Sequence, residues 1–218
     1  MSNKIVTILL AVALTSVSYA GVVGNWESMP TSGDGWIDWT AGNSGAGVKI
    51  ETLPNLYSAN TSWHTLGSQS LQLTNNGWRQ SLSIKLEYLG LNSEFLNHTQ
   101  LEFDVAVPNL GGAGGWGKIE NVSLNASGFS WAALPNSTFM IGLWAGSGTV
   151  VQHEVIDYSA AKALVTATAT SGYIELCFTT NNDSVNNEML FDNIKFTPEP
   201  ATMALLGLGG LALIRRKR

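Results

Sequence analysis

The sequence predicts an all-β domain, a two-sheet antiparallel β-sandwich of the jelly-roll type, bounded by an N-terminal signal peptide and a C-terminal hydrophobic helix. Three observations carry this. Between Gly21 and Thr197, apolar residues recur on alternate positions in short runs, with hardly any helical spacing. Gly, Asn and Ser punctuate those runs, and no internal repeat points to a propeller or solenoid. Each end of the chain pairs an apolar run with cations.

Leu71 and Leu73 lead into Asn75-Asn76-Gly77, after which Leu82, Ile84 and Leu86 continue the alternation, a pattern that predicts a hairpin. Leu101, Phe103, Val105 and Val107 alternate with Glu102, Asp104 and Ala106, as a strand with one buried and one wetter face requires. Phe139, Ile141 and Leu143 repeat the pattern, Val165 to Thr170 is rich in β-branched residues, and Ile174, Leu176 and Phe178 follow. Leu190, Ile194 and Phe196 mark a last strand, and only Ser159 to Leu164 reads as helix. The run Gly111 to Gly117 reads as a loop; it lacks the Lys-Ser/Thr of a phosphate loop.

With 218 residues, 44% apolar, the chain suits one globular domain. Eleven basic and sixteen acidic residues give a net charge of −5. Setting aside Lys4 and the four terminal cations leaves six against sixteen, or −10. That balance repels phosphate and excludes nucleic acid as a partner. The single Cys177 excludes an intramolecular disulfide and a cysteine zinc site.

Lys4, the apolar stretch Ile5 to Leu14 and Ser18-Tyr19-Ala20 form a secretory signal over residues 1–20, with signal peptidase cutting between Ala20 and Gly21. At the other end, Ala201 to Ile214 would make a helix about 21 Å long against a hydrocarbon core of about 30 Å. Arg215, Arg216, Lys217 and Arg218 follow, and the positive-inside bias holds them in the cytoplasm. Pro198-Glu199-Pro200, the apolar run and the basic tail together resemble the PEP-CTERM sorting signal over 198–218. The resemblance implies recognition by an exosortase of a Gram-negative bacterium, then transfer to the envelope or release. The alternative is a permanent inner-membrane anchor. Residues 21–197 remain as the β-sandwich domain.

Catalytic signatures are scarce. No Gly-x-Ser-x-Gly occurs, and His64, His98 and His153 read as isolated surface or loop residues. Glu102 and Asp104 share one strand face. Laminarinase-like sandwich glucanases place Glu-x-Asp-x-x-Glu on such a strand, but here the third position is Val107. The pair lacks its second catalytic carboxylate, and no catalytic residue is assigned.

Asn25-Trp26-Glu27 with Gly35-Trp36, and Phe191-Asp192-Asn193-Ile194-Lys195-Phe196, resemble the opening and closing strands of jelly-roll carbohydrate-binding modules. That resemblance implies that the two strands are neighbours and that Glu27 and Asp192 help hold a structural calcium, whose six to eight oxygen ligands backbone carbonyls would complete. Asp192 has the parity of Leu190, Ile194 and Phe196, which turns it toward the core; a cation or a hydrogen-bond net must answer its charge. Trp26, Trp36 and Trp78 read as core. Trp63, Trp116 and Trp144 stand in polar or glycine-rich surroundings and are the expected ligand-contacting indoles.

These readings point to an exported envelope or extracellular-matrix protein that binds exopolysaccharide without cleaving it. A purely structural matrix or adhesion protein and a glycan-cleaving enzyme are the alternatives.

Overall fold

A computed structural model describes residues 21–24, 26–27, 48–51, 57–74, 80–108, 116–142, 148–182 and 188–198. Residues 1–20, Trp36, the Asn75-Asn76-Gly77 turn, Trp78, Trp144 and the sorting tail from Glu199 onward lie outside the described residues.

The described residues form twelve strands and three short helices: β1 (Gly21–Gly24), β2 (Val48–Glu51), β3 (Tyr57–Asn60), β4 (Ser70–Thr74), β5 (Gln80–Lys85), α1 (Leu86–Leu89), α2 (Asn92–Asn97), β6 (Gln100–Val107), β7 (Gly117–Ala126), β8 (Phe129–Ala133), β9 (Phe139–Ile141), β10 (Val150–Asp157), α3 (Ser159–Lys162), β11 (Ile174–Asn182) and β12 (Glu188–Thr197). The strands make two antiparallel sheets. The first runs β10-β6-β12-β4-β3, with β1 also paired to β12, and the second runs β2-β5-β11-β7-β8, with β9 paired to β7. The opening and closing strands are therefore neighbours, Gly21 standing opposite Phe196.

The alternating residues explain the packing. Leu71, Leu73, Leu101, Phe103, Val105 and Phe191 of the first sheet and Leu82, Ile84, Val122, Leu124, Leu176 and Phe178 of the second are buried in one core. Phe103 meets Phe178 edge-on at 5.2 Å between ring centroids, and Phe178 meets Phe191 at 5.8 Å, so the sheets pack face to face. Each such side chain contributes about 1.5–3 kcal/mol by leaving water. At one edge the sheets come still closer: a Cβ on Gly117 would overlap Val107 Cγ2, which is why β7 opens on glycine.

One end of the sandwich is capped. Phe95 of α2 stacks on Tyr158 at 4.6 Å and meets Phe196 at 5.7 Å, and Tyr158 Oη donates to the Phe95 carbonyl. Asn92 Nδ2 donates to the carbonyls of Thr168 and Gly172, tying α2 to the loop before β11.

Three sequence expectations change. β4 and β5 do not pair as a hairpin; they belong to different sheets, so the segment between them crosses the sandwich. Val165 to Thr170 is loop despite its β-branched content: Thr168 Oγ1 accepts from the Ser171 N–H, and Thr166 donates to the Ser127 carbonyl, which diverts the backbone from a ladder. Leu86 keeps its buried position but opens α1 instead of extending β5; Gly90, in the left-handed region at φ 69°, closes that helix.

Candidate functional site

The outward face of the first sheet carries the residues singled out at the two ends of the domain. Asp192 stands opposite Asp104 in the β12–β6 ladder, and the register then slips by a bulge before Lys195 meets Glu102. Asn193 sits in that bulge with a positive φ of 52°. The extra residue resets the parity. Phe191, Ile194 and Phe196 enter the core, while Asp192 lies on the outward side with Asp104 and Glu102. The expected alignment of Asp192 with the core side chains is thus corrected, although the carboxylate is fully buried.

Its cover is the segment 61–69, which links β3 to β4. Asp192 Oδ2 accepts from the N–H of Thr65 at 2.6 Å and of Leu66 at 2.8 Å, and Oδ1 accepts from the Asn193 N–H at 2.8 Å. Thr65 Oγ1 donates to Asp104 Oδ2, which also receives Asn193 Nδ2 at 3.0 Å. Further along, Glu27 Oε1 accepts from the Ser68 N–H at 2.6 Å and Oε2 from its hydroxyl at 2.7 Å. Gly67, with φ 74°, leaves room for that carboxylate, since a Cβ there would collide with Glu27 Oε1. The charge of Asp192 is answered by a hydrogen-bond net. Glu27 and Asp192 face N–H and O–H donors, an environment opposite to the oxygen shell that calcium needs. Among the described residues, no group of three or more His, Cys, Asp or Glu is arranged to hold a metal ion.

Glu102, Asp104 and His153 form the charged part of this face. His153 lies on β10 opposite Asp104, with Nδ1 2.6 Å from Asp104 Oδ1 and Nε2 3.7 Å from Glu102 Oε2. Lys195 Nζ lies 3.4 Å from Glu102 Oε2, and Thr197 Oγ1 donates to Glu102 Oε1 at 2.6 Å. Burial pushes the Asp104 carboxyl up, but hydrogen bonds from Thr65, Asn193 and His153 outweigh it and hold it below the usual range. The Ser68 N–H and hydroxyl hold Glu27 below its usual range as well. His153 is therefore not isolated, and His98 is not a surface residue: it is buried, with Nδ1 2.7 Å from the Glu94 carbonyl.

The candidate indoles are dispersed. Trp63 sits in the 61–69 segment, half-buried, its backbone N–H donating to Asn60 Oδ1 and its backbone carbonyl accepting from Ser70 Oγ. Trp116, also half-buried, immediately precedes β7, and Trp26 is buried in the core.

The second sheet presents a different outward face, which the sequence reading did not single out. Its ladders align three rows across β5, β11 and β7: Lys85, Glu175 and Asn125; Ser83, Cys177 and Ser123; Ser81, Thr179 and Asn121. These alternate with the core residues Ile84, Leu176, Leu124, Leu82, Phe178 and Val122 and so point away from the core, although Ser83, Glu175 and Cys177 among them are buried. Ser123 Oγ donates to Asn121 Oδ1 at 2.7 Å. On the flanking β8, Ala133 stands opposite Ser123, and Trp131, beside the bulge between the Leu124–Ala132 and Ala126–Phe129 pairs, is 56% exposed, the most exposed aromatic ring among the described residues. The signal that could have found it is the alternation of Phe129 and Trp131 about Ser130 in a short, mostly exposed strand that pairs with β7.

Comparison with known proteins adds a sorting signal and a set of look-alikes. The PEP-CTERM protein-sorting motif matches residues 196–218, starting within the end of β12 and running through the basic tail. The chain thus carries the signal for exosortase-sorted export to the envelope. Solved structures similar to it include the carbohydrate-binding module TmCBM27, described for specific mannan recognition, at 18% identity and TM-score 0.40, covering 69% of this chain and 82% of that one. The family 11 module of a Clostridium thermocellum cellulosomal cellulase overlaps at 12% identity and TM-score 0.44, covering 84% and 97%. The non-crystalline-cellulose-specific module CBM28 does so at 11% identity and TM-score 0.41, covering 84% and 100%. No curated protein matches the chain. Among the described residues, no helix is long and apolar enough to cross a membrane; residues 201–214 lie outside them.

Proposed function

We propose that this is an exported, non-catalytic module of the cell envelope or extracellular matrix that binds a neutral polysaccharide on the outward face of its second sheet. The observation that carries the reading is the exposed Trp131 on β8, the strand paired to β7, together with the half-exposed amide and hydroxyl side chains of β7 and β11. A pyranose ring offers an apolar face for an indole and a rim of hydroxyls for groups such as Asn121, Ser123, Asn125 and Thr179, which are half-exposed on β7 and β11. Export and processing frame the same reading. Signal peptidase cleavage after Ala20 would leave Gly21 as the first residue of β1, and residues 201–214 hold the chain in the inner membrane of a Gram-negative cell until exosortase acts at Pro198-Glu199-Pro200.

The enzymatic alternative rests on Glu102, Asp104 and His153. Both carboxylates are occupied in holding Thr65, Asn193, Lys195 and Thr197, and Val107 occupies the third position of the glucanase pattern as a buried core residue. The test is a pull-down of the secreted chain on a panel of extracellular polysaccharides with a parallel assay for reducing ends. Retention without new reducing ends supports the module. Retention on nothing favours a purely structural matrix protein, and accumulating reducing ends favour an enzyme.

A further inference from the structure

We propose that the helix-capped end of the sandwich is a lipid-contacting surface, resting on the membrane that holds the sorting tail. The inference depends on the reading of residues 201–214 as a membrane segment and goes beyond it, because it assigns a face of the folded domain to the lipid headgroups.

The argument starts from where the chain leaves the fold. β12 ends at Thr197, hydrogen-bonded to Thr99, and the apolar run begins at Ala201. Four residue steps reach at most about 14 Å even when fully extended. The headgroup layer on one side of a bilayer takes up about 5–8 Å of that. The end of β12 is therefore confined to within several ångströms of the headgroups whenever residues 201–214 are in the membrane. β1 starts at the same place, with Gly21 opposite Phe196.

That end also carries apolar side chains that the core does not use. Leu164, just after α3, is 59% exposed; Tyr173, just before β11, is 45% exposed; and Val22 on β1 is 42% exposed. Leu164 and Tyr173 lie on adjoining turns, since Thr166 donates to the Ser127 carbonyl and Ser127 donates to that of Tyr173. A tyrosine beside exposed aliphatic side chains suits the boundary between headgroups and acyl chains. The nearby cation Lys162 is turned inward, its Nζ donating to the Leu96 and His98 carbonyls, so the contact is apolar in character and does not depend on anionic lipid.

The experiment uses the chain after removal of residues 1–20, reconstituted in phosphatidylcholine vesicles, with Leu164→Cys at the capped end and Met140→Cys at the opposite end, each carrying an environment-sensitive fluorophore. Cys177 is buried and leaves the introduced thiols as the reactive ones. Acyl-brominated lipid is expected to quench the label at 164 several-fold more than the label at 140. If the protein floats with the vesicles but both labels remain equally accessible to an aqueous quencher, the contact is overturned while the membrane reading stands. If the protein does not float with the vesicles, the membrane reading fails and the contact fails with it.

Discussion

Asp192 and Asp104 stand directly opposite one another on β12 and β6, and the fold tolerates two adjacent carboxylates because the same loop residue, Thr65, donates to both. Like charges at such a cross-strand position are destabilising unless donors answer them. Here the answer is structural: the pair fastens the 61–69 segment, and with it Trp63, over the outward face of the first sheet.

Removing Asp192 should therefore unfasten the segment. Asp192→Ala strands the part-buried N–H groups of Thr65, Leu66 and Asn193, and a loss of about 3 kcal/mol is expected. For a domain of this size that is a fall in Tm of about 10 °C. Calorimetry checks it, and Asp192→Asn, which keeps one acceptor oxygen, should lose less.

Acid should weaken the same net. The carboxyl of Asp104 titrates lower in the folded chain than in the unfolded one, so it favours folding while ionised. Its contribution is complete above the ordinary aspartate value of about 3.9 and disappears as pH falls through the depressed folded value. Asp104→Asn should therefore lower Tm at pH 7, and its difference from the wild type should narrow below pH 4. A constant difference across that range would contradict the account.

Because Glu27 and Asp192 face N–H and O–H donors, chelator should leave the melting curve unchanged. A fall in Tm on chelation, reversed by added calcium, would show that a cation stabilises the native state by mass action.

Gly117→Ala should destabilise by about 1–3 kcal/mol, because the new methyl overlaps Val107. Adding Val107→Ala should cost less in the Gly117→Ala background than in the wild type, a coupling that a double-mutant cycle on urea unfolding measures.

How much of this was legible in the sequence depends on how local the cause is. The sorting tail is readable because its PEP triplet, apolar run and cations are contiguous. The sandwich is readable because alternation in Leu101 to Val107 and Ile174 to Phe178 marks the side chains of the shared core, even though Asp104, Ala106, Glu175 and Cys177 between them are buried too. The outward turn of Asp192 is not, since it depends on a bulge at Asn193 that no alternation rule anticipates. Trp131 was missed because β8 is a short strand that buries little, and only its pairing with β7 brings it next to the second sheet. His98 and His153 looked isolated because their partners are a helix carbonyl and a carboxylate on the next strand.

The most direct test of the central claim is the affinity of the wild type and of Trp131→Ala for the polysaccharide that retains the wild type best, measured by titration calorimetry. Truncating a tryptophan that stacks on the ligand costs about 2 kcal/mol, so Kd should rise about 30-fold. Trp63→Ala, over the outward face of the first sheet, should stay close to the wild type. Undiminished binding by Trp131→Ala, or a loss confined to Trp63→Ala, would contradict the assignment of the second sheet as the ligand-binding face.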